Sequence, residues 1–226
     1  MLSNMTELIG NNVYIELTKK SYFKGILIDV GSDILVLYDG QKFFYIPWLH
    51  VRSLQLNSNT NDQVDSPTES SLAEETESIS YRKILTNAKG MFTEISVIGN
   101  LSFHGYILSV LSDYFVFYSP VFNTMYISLS HLKWITPYHK NITPYTLSNT
   151  SLPVNPSNTP LLRSFEDQLK KVEGKLVVID GGGDPMKIGL LKEVKNNLLE
   201  IAIASGETVY LKLTHVKSLH LPNANF

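Results

Sequence analysis

The chain of 226 residues contains no cysteine. That single absence excludes disulfides, thiolate catalysis and thiolate metal sites together, so stability has to come from packing. Charge is also sparse: 18% of residues are Asp, Glu, Lys or Arg and the formal net charge is −2. Such a balance leaves no basic footprint for nucleic acid or an anionic membrane surface. No apolar run approaches the ~18 residues needed to cross a bilayer, so membrane insertion is not expected. The opening Met1-Leu2-Ser3-Asn4 lacks the charged and apolar regions of a secretory signal, and synthesis in the cytoplasm without Sec export follows as the expectation.

What the chain does have is internal repetition, which takes precedence over element assignment because a missed repeat misassigns the whole fold. With Gly10, Gly90 and Gly174 aligned, a second glycine follows 15 residues later at Gly25, Gly105 and Gly189. Eight residues beyond stands Asp33, Asp113 or Asn197, and a histidine closes each unit at His50, His131 and His215. The closing phrases correspond too: His50-Val51-Arg52-Ser53-Leu54, His131-Leu132-Lys133-Trp134-Ile135 and His215-Val216-Lys217-Ser218-Leu219.

Each unit carries the pattern of five short strands. Val13, Ile15 and Leu17 alternate with Tyr14 and Glu16, the period of a half-buried strand. Gly25 to Val30 and Ile34 to Tyr38 follow, and Asp39-Gly40 supplies a tight turn before Phe43 to Ile46 and Val51 to Leu56. The second and third units repeat the scheme. Short strands with short turns predict an all-β fold of three tandem five-stranded barrels, small and strongly bent, which resemble the Sm-like or SH3-like barrel and whose closure would remove exposed edges. The recurrent glycine fits a strand that bends sharply. A short helix before each barrel is compatible with the pattern, most clearly at Ser164 to Val172, where Ser164 and Asp167 have capping-box spacing.

The expected organisation is barrel 1 over 1–56, an acidic disordered linker over 57–79, barrel 2 over 80–136, a Pro/Asn/Thr-rich linker over 137–160 and barrel 3 over 161–226. The first linker carries six acids (Asp62, Asp65, Glu69, Glu74, Glu75, Glu77) and no Lys or Arg, which predicts a solvated tether. The second holds Pro137, Pro144, Pro153, Pro156 and Pro160 among polar residues, which favours an extended course. A barrel of ~50 residues buries too little surface to stand alone comfortably, so the units are expected to pack on one another or on other chains.

The strand order and turn spacing resemble the Sm-like barrel. More specifically, Lys175-Leu176-Val177-Val178-Ile179, then Gly181-Gly182-Gly183-Asp184-Pro185, Gly189 and the phrase Tyr210 to Leu219 resemble the repeat region of the spore coat protein B family of endospore-forming bacteria. The third unit fits best, since the first two lack the glycine-rich loop, and the chain has no Ser/Lys/Arg-rich tail such as some members of that family carry. The resemblance implies a structural component of the spore coat, deposited on the outer spore layers from the mother-cell cytoplasm. Its partners would then be other coat proteins or further copies of itself.

Sharper readings find less support. Sm-like barrels often bind RNA, with an Asn hydrogen-bonding an unstacked base, but the nearest positions here are Asp33, Asp113 and Asn197. Two of these are carboxylates, which repel phosphate and offer no amide donor, so the expectation is turn residues and no nucleic acid. His50, His131 and His215 each stand without a second ligand at suitable spacing, so no metal site is predicted. Gly181 to Pro185 lacks the Gly-Lys-Ser/Thr and the following helix of a phosphate loop. No nucleophile-base set or carboxylate pair can be assigned, which predicts no enzyme and no cofactor. The aromatic runs do carry a message. In Phe43-Phe44-Tyr45 at least one ring must leave the unit's own core, which points to an interface between proteins or between units.

Overall fold

The computed structural model describes residues 5–17, 21–57, 64–73, 79–99, 101–139, 141–142, 144–147 and 160–222. The fold is all-β in the sense expected, with strands dominating and, among the described residues, two short helices between units. Unit 1 contributes β1 (Asn12–Leu17), β2 (Ser21–Val30), β3 (Ile34–Tyr38), β4 (Phe43–Pro47) and β5 (Val51–Leu56). Helix α1 (Tyr81–Asn87) leads into unit 2, with β6 (Phe92–Ile98), β7 (Leu101–Val110), β8 (Tyr114–Ser119), β9 (Asn123–Ser128) and β10 (Trp134–Pro137). Helix α2 (Phe165–Lys170) precedes unit 3, with β11 (Leu176–Ile179), β12 (Ile188–Lys195), β13 (Leu198–Ile203), β14 (Thr208–Lys212) and β15 (Ser218–His220). Each landmark histidine ends a single 3-10 turn joining the fourth and fifth strands, at Trp48–His50, Leu129–His131 and Leu213–His215.

The three units do not form separate closed barrels, contrary to the expectation from their length and turns. Their strands run as one antiparallel sheet of fifteen, in the order β14-β13-β12-β11-β15-β9-β8-β7-β6-β10-β4-β3-β2-β1-β5. Within every unit the order is fourth, third, second, first, fifth. The fifth strand of one unit then adds to the fourth strand of the unit before it, so an edge left by one unit is covered by the next.

The reason lies in the strand sequences. The run Ile34-Leu35-Val36-Leu37 is buried throughout, as is Tyr114-Phe115-Val116-Phe117. A strand whose side chains alternate between two faces needs apolar surroundings on both when it has no polar positions. Leu35, Leu37, Phe44 and Ile46 enter the core of unit 1, whereas Ile34, Val36 and Tyr45 enter the core of unit 2 with Ile95, Phe103, Phe117 and Ile135. One unit further on, Tyr114, Val116 and Tyr126 enter the core of unit 3 with Val177, Leu191, Leu199 and Leu219. The cores of units 2 and 3 are thus completed by the preceding unit.

The repeated glycine is explained by proximity of backbone. A Cβ on Gly25 would lie 2.0 Å from the Tyr38 carbonyl oxygen, one on Gly105 would lie 2.0 Å from that of Tyr118, and one on Gly189 would lie 2.3 Å from that of Ala202. Two residues later the second strand carries a bulge in every unit, between Leu27 and Asp29, Ile107 and Ser109, and Leu191 and Glu193. Close approach and bulge together bend the strand, as bulges do.

The capping-box expectation holds at α2: Ser164 Oγ accepts from the Asp167 N–H at 3.2 Å and donates to the Asp167 carboxylate at 2.6 Å. The two linkers are described only in part. Parts of both, 58–63, 74–78, 140, 143 and 148–159, lie outside the described residues, together with Asp62, Glu74, Glu75, Glu77, Pro153 and Pro156. In the described part of the acidic stretch, Ser71, Ala73 and Ile79 are buried and Leu72 packs against the core of unit 2. The Leu72 N–H donates to Tyr45 Oη at 2.6 Å, and Glu69 meets His139 of the second linker at 2.9 Å. Acidic composition predicted a solvated tether; among the described residues, Ser71, Ala73 and Ile79 are seated in a groove that the assembled units provide.

Candidate functional site at the unit junctions

The landmarks that recur in sequence converge on the two junctions between units. At the first, Ile135 of β10 pairs with Tyr45 of β4; at the second, Leu219 of β15 pairs with Tyr126 of β9. Ile135 and Leu219 occupy the same repeat position, four residues past the histidine, and Tyr45 and Tyr126 lie five before it. The two junctions therefore share one register. At the second the Ser128 N–H donates to the Lys217 carbonyl at 2.9 Å. Its counterpart at the first is Pro47, which has no N–H to give.

The junction tyrosines are buried to 1% exposure at Tyr45 and 3% at Tyr126. Tyr45 closes the contact with its Leu72 bond, and Trp134 lies edge-on to Phe44 at 5.3 Å and to Phe23 at 6.1 Å. An ion pair between Lys42 and Glu94, 3.1 Å apart, ties the same two units at the surface. In the second junction the glycine-rich loop of unit 3 takes part. A Cβ at Gly181, where φ is +75°, would stand 3.0 Å from Leu101 Cδ2 of unit 2, so the loop is a packing element and not a free hairpin tip. Beside it the buried Asp180 accepts from the N–H groups of Lys217 and Ser218 at 2.8 and 3.2 Å and meets the Lys187 and Lys217 ammonium groups.

Asp33 and Asp113, expected to be plain turn residues, have defined partners. The Asp33 carboxylate accepts from the Tyr81 N–H at 2.8 Å, and Asp113 accepts from the Phe165 N–H at 2.8 Å. Each thereby caps the first turn of the helix leading into the next unit, where backbone donors lack intrahelical acceptors. The same residues hold their own unit's turn through their carbonyls, which accept from Trp48 and Leu129, as Asn197 accepts from Leu213.

The histidines also lie at the junctions. His131 Nε2–H donates to the Thr214 carbonyl of unit 3 at 2.9 Å. His50 occupies the corresponding place one unit earlier, facing the backbone of Ser130. Burial holds both imidazoles below the usual histidine range; His131 and Lys133 push His50 further down, and Lys217 and His215 act likewise on His131, against the Thr214 carbonyl and Asp180. His220, in the second junction, is lowered by burial. The three landmark histidines thus follow one another along the sheet. Among the described residues no group of three or more His, Asp or Glu is placed to hold a metal ion.

Two cavities accompany these contacts. One of about 440 Å³ lies where the linkers cross the first junction, lined by residues that include Lys42, Tyr45, Glu69, Leu72, Tyr138 and His139. Another of about 370 Å³ lies in the second junction among Asp113, Leu129, Phe165, Asn197 and Leu213. Their ionisable groups are already engaged: Lys42 with Glu94, His139 with Glu69, and Asp113 with the helix N-terminus. The arrangement is suited to joining β units by added strands.

The residue class that the sequence reading missed is the junction tyrosine. Its signal was present, because Tyr45, Tyr126 and Tyr210 stand at one spacing from the three histidines.

A family model described as the YwrJ third domain matches residues 164–219. Over 225 residues the chain is 44% identical to the uncharacterized protein YwrJ of Bacillus subtilis (strain 168), covering 98% of this chain and 100% of that protein. On that extent of identity, the chain belongs to the YwrJ family.

Proposed function

We propose that this protein is a structural assembly component of the bacterial endospore coat, made in the mother-cell cytoplasm and acting through protein-protein contact without catalysis. One observation carries the reading: the repeated landmark residues are engaged in building units or joining them. Gly25, Gly105 and Gly189 admit a neighbouring strand, Asp33 and Asp113 cap the following helix, and His131 bonds to the following unit. Repetition of this kind serves extension, as in other chains whose units complete one another's cores. The spore assignment comes from the resemblance of the third unit to the spore coat protein B repeat. We read each unit as an Sm-like or SH3-like barrel opened between its fourth and fifth strands, a reading supported by the common strand order and bulge.

The Sm-like RNA-binding alternative has less in its favour, because the Asp33 and Asp113 carboxylates are occupied by backbone N–H groups. A fluorescent fusion followed through sporulation tests the proposal. A shell around the forespore is the expected pattern, and diffuse fluorescence at every stage would remove the coat assignment. Filter binding with oligouridine at low salt addresses the alternative, for which retention is expected to be negligible.

A further inference from the structure

The sheet ends in two strands that differ in kind. Among the described residues β5 has only β1 as a strand neighbour and β14 only β13. β5 is the fifth strand of unit 1, and β14 is the fourth strand of unit 3. Fifth on fourth is the pairing that makes both internal junctions. The molecule therefore carries, at its opposite ends, the two halves of a contact it already makes twice.

We propose that this chain associates head to tail with a second copy of itself, β5 of one molecule adding to β14 of the next in the register of the internal junctions. That register places Leu54 opposite Tyr210, as Ile135 lies opposite Tyr45 and Leu219 opposite Tyr126. It also brings the Lys212 N–H to the Arg52 carbonyl, the counterpart of the Ser128–Lys217 bond. The side chains at these ends support the match. Tyr210 is 62% exposed, whereas its equivalents are almost fully buried, and Leu198, equivalent to Ile34 and Tyr114, is 42% exposed beside it. On the other end Leu49, which precedes His50 as Thr214 precedes His215, is 67% exposed and Leu56 is 54% exposed. The Leu49 carbonyl is the one that His215 would meet, as His131 meets that of Thr214.

One position departs from the pattern. Glu200 stands where Val36 and Val116 are buried, and it lies 3.6 Å from Lys192. A carboxylate on this face makes contact between molecules weaker than the covalently linked internal junctions, which suits reversible assembly. Because the two surfaces differ, the contact is heterologous; it closes into a ring if the rotation permits and otherwise extends as a filament. The inference rests on the topology and stands whether or not the spore assignment does.

Sedimentation velocity on the full chain at rising concentration tests it. The expected result is growth from monomer to larger species, abolished by Tyr210→Asp and by Leu56→Asp, both at exposed positions, each keeping the circular dichroism spectrum of the parent. Mixing these two variants is expected to restore a dimer and nothing larger, since the mixture retains one intact β5 and one intact β14 surface. Glu200→Val is expected to move assembly to lower concentration by tenfold or more. Because the chain has no cysteine, Gln55→Cys with Val209→Cys adds a register test, with intermolecular disulfides expected on oxidation. A parent that stays monomeric throughout, or variants that oligomerise unchanged, would overturn the proposal. A mixture of the two Asp variants that does not pair would also overturn it.

Discussion

Replacing the junction tyrosine at its three repeat positions should give three different costs for the same chemical change. Tyr45→Ala removes a ring exposed by only 1% from the core of unit 2 and leaves the Leu72 N–H without its 2.6 Å acceptor. Truncation of a buried aromatic costs about 3–5 kcal/mol. For a chain of this size that lowers the midpoint of thermal unfolding by roughly 6–20 °C. Tyr45→Phe isolates the hydroxyl and should cost about 1–3 kcal/mol, the range for a buried donor left unpaired. Tyr126→Ala should resemble Tyr45→Ala. Tyr210→Ala, on the open end, should stay within about 0.5 kcal/mol when measured at low protein concentration. Urea unfolding gives the magnitudes, and hydrogen exchange gives the place. Tyr45→Ala should loosen β6 to β10 of unit 2, because that is the core the ring enters. Equal losses at positions 45 and 210, or loosening confined to unit 1, would refute the argument that each unit completes the core of the next.

Gly105→Ala would set a Cβ 2.0 Å from the Tyr118 carbonyl oxygen and should destabilise by about 3 kcal/mol or more, whereas Gly183→Ala, with φ at −68° and open space around it, should be neutral by urea titration. Asp113→Ala should cost about 1–2 kcal/mol through the lost Phe165 N–H bond and increase exchange in α2, an effect Asp113→Asn should largely restore. Stability should also depend on pH in a definite direction. His50, His131 and His220 are lowered in the folded state, so the unfolded chain takes up protons first. Stability should accordingly be level above the ordinary histidine value of 6.5 and fall as the pH drops below it, through the lowered values. Denaturation midpoints measured between about pH 8 and 5, where most carboxylates stay ionised, isolate this effect. His131→Gln should flatten the slope without abolishing it.

Several features of this protein were legible because they are local. A period-two pattern identifies a strand wherever it occurs, and the spacing of Gly25, Gly105 and Gly189 from His50, His131 and His215 identified the repeat. The Ser164 and Asp167 capping pair needs only neighbours three residues apart. The run Phe43-Phe44-Tyr45 even announced that a second apolar surface must exist, because alternate side chains cannot share one core. The identity of that surface was not local. Tyr45 meets Ile135 across ninety residues of sequence, Asp33 reaches Tyr81, and Leu72 finds its acceptor only once units 1 and 2 have joined. The seating of Ala73 and Ile79 was not legible for the same reason, since composition describes a segment in water and not the groove these two residues enter. What the sequence determined by itself was the unit and its number. What only the tertiary structure decided was that the units share one sheet, because strand edges are satisfied by whichever partner lies alongside, and side-chain pattern within a strand does not name that partner.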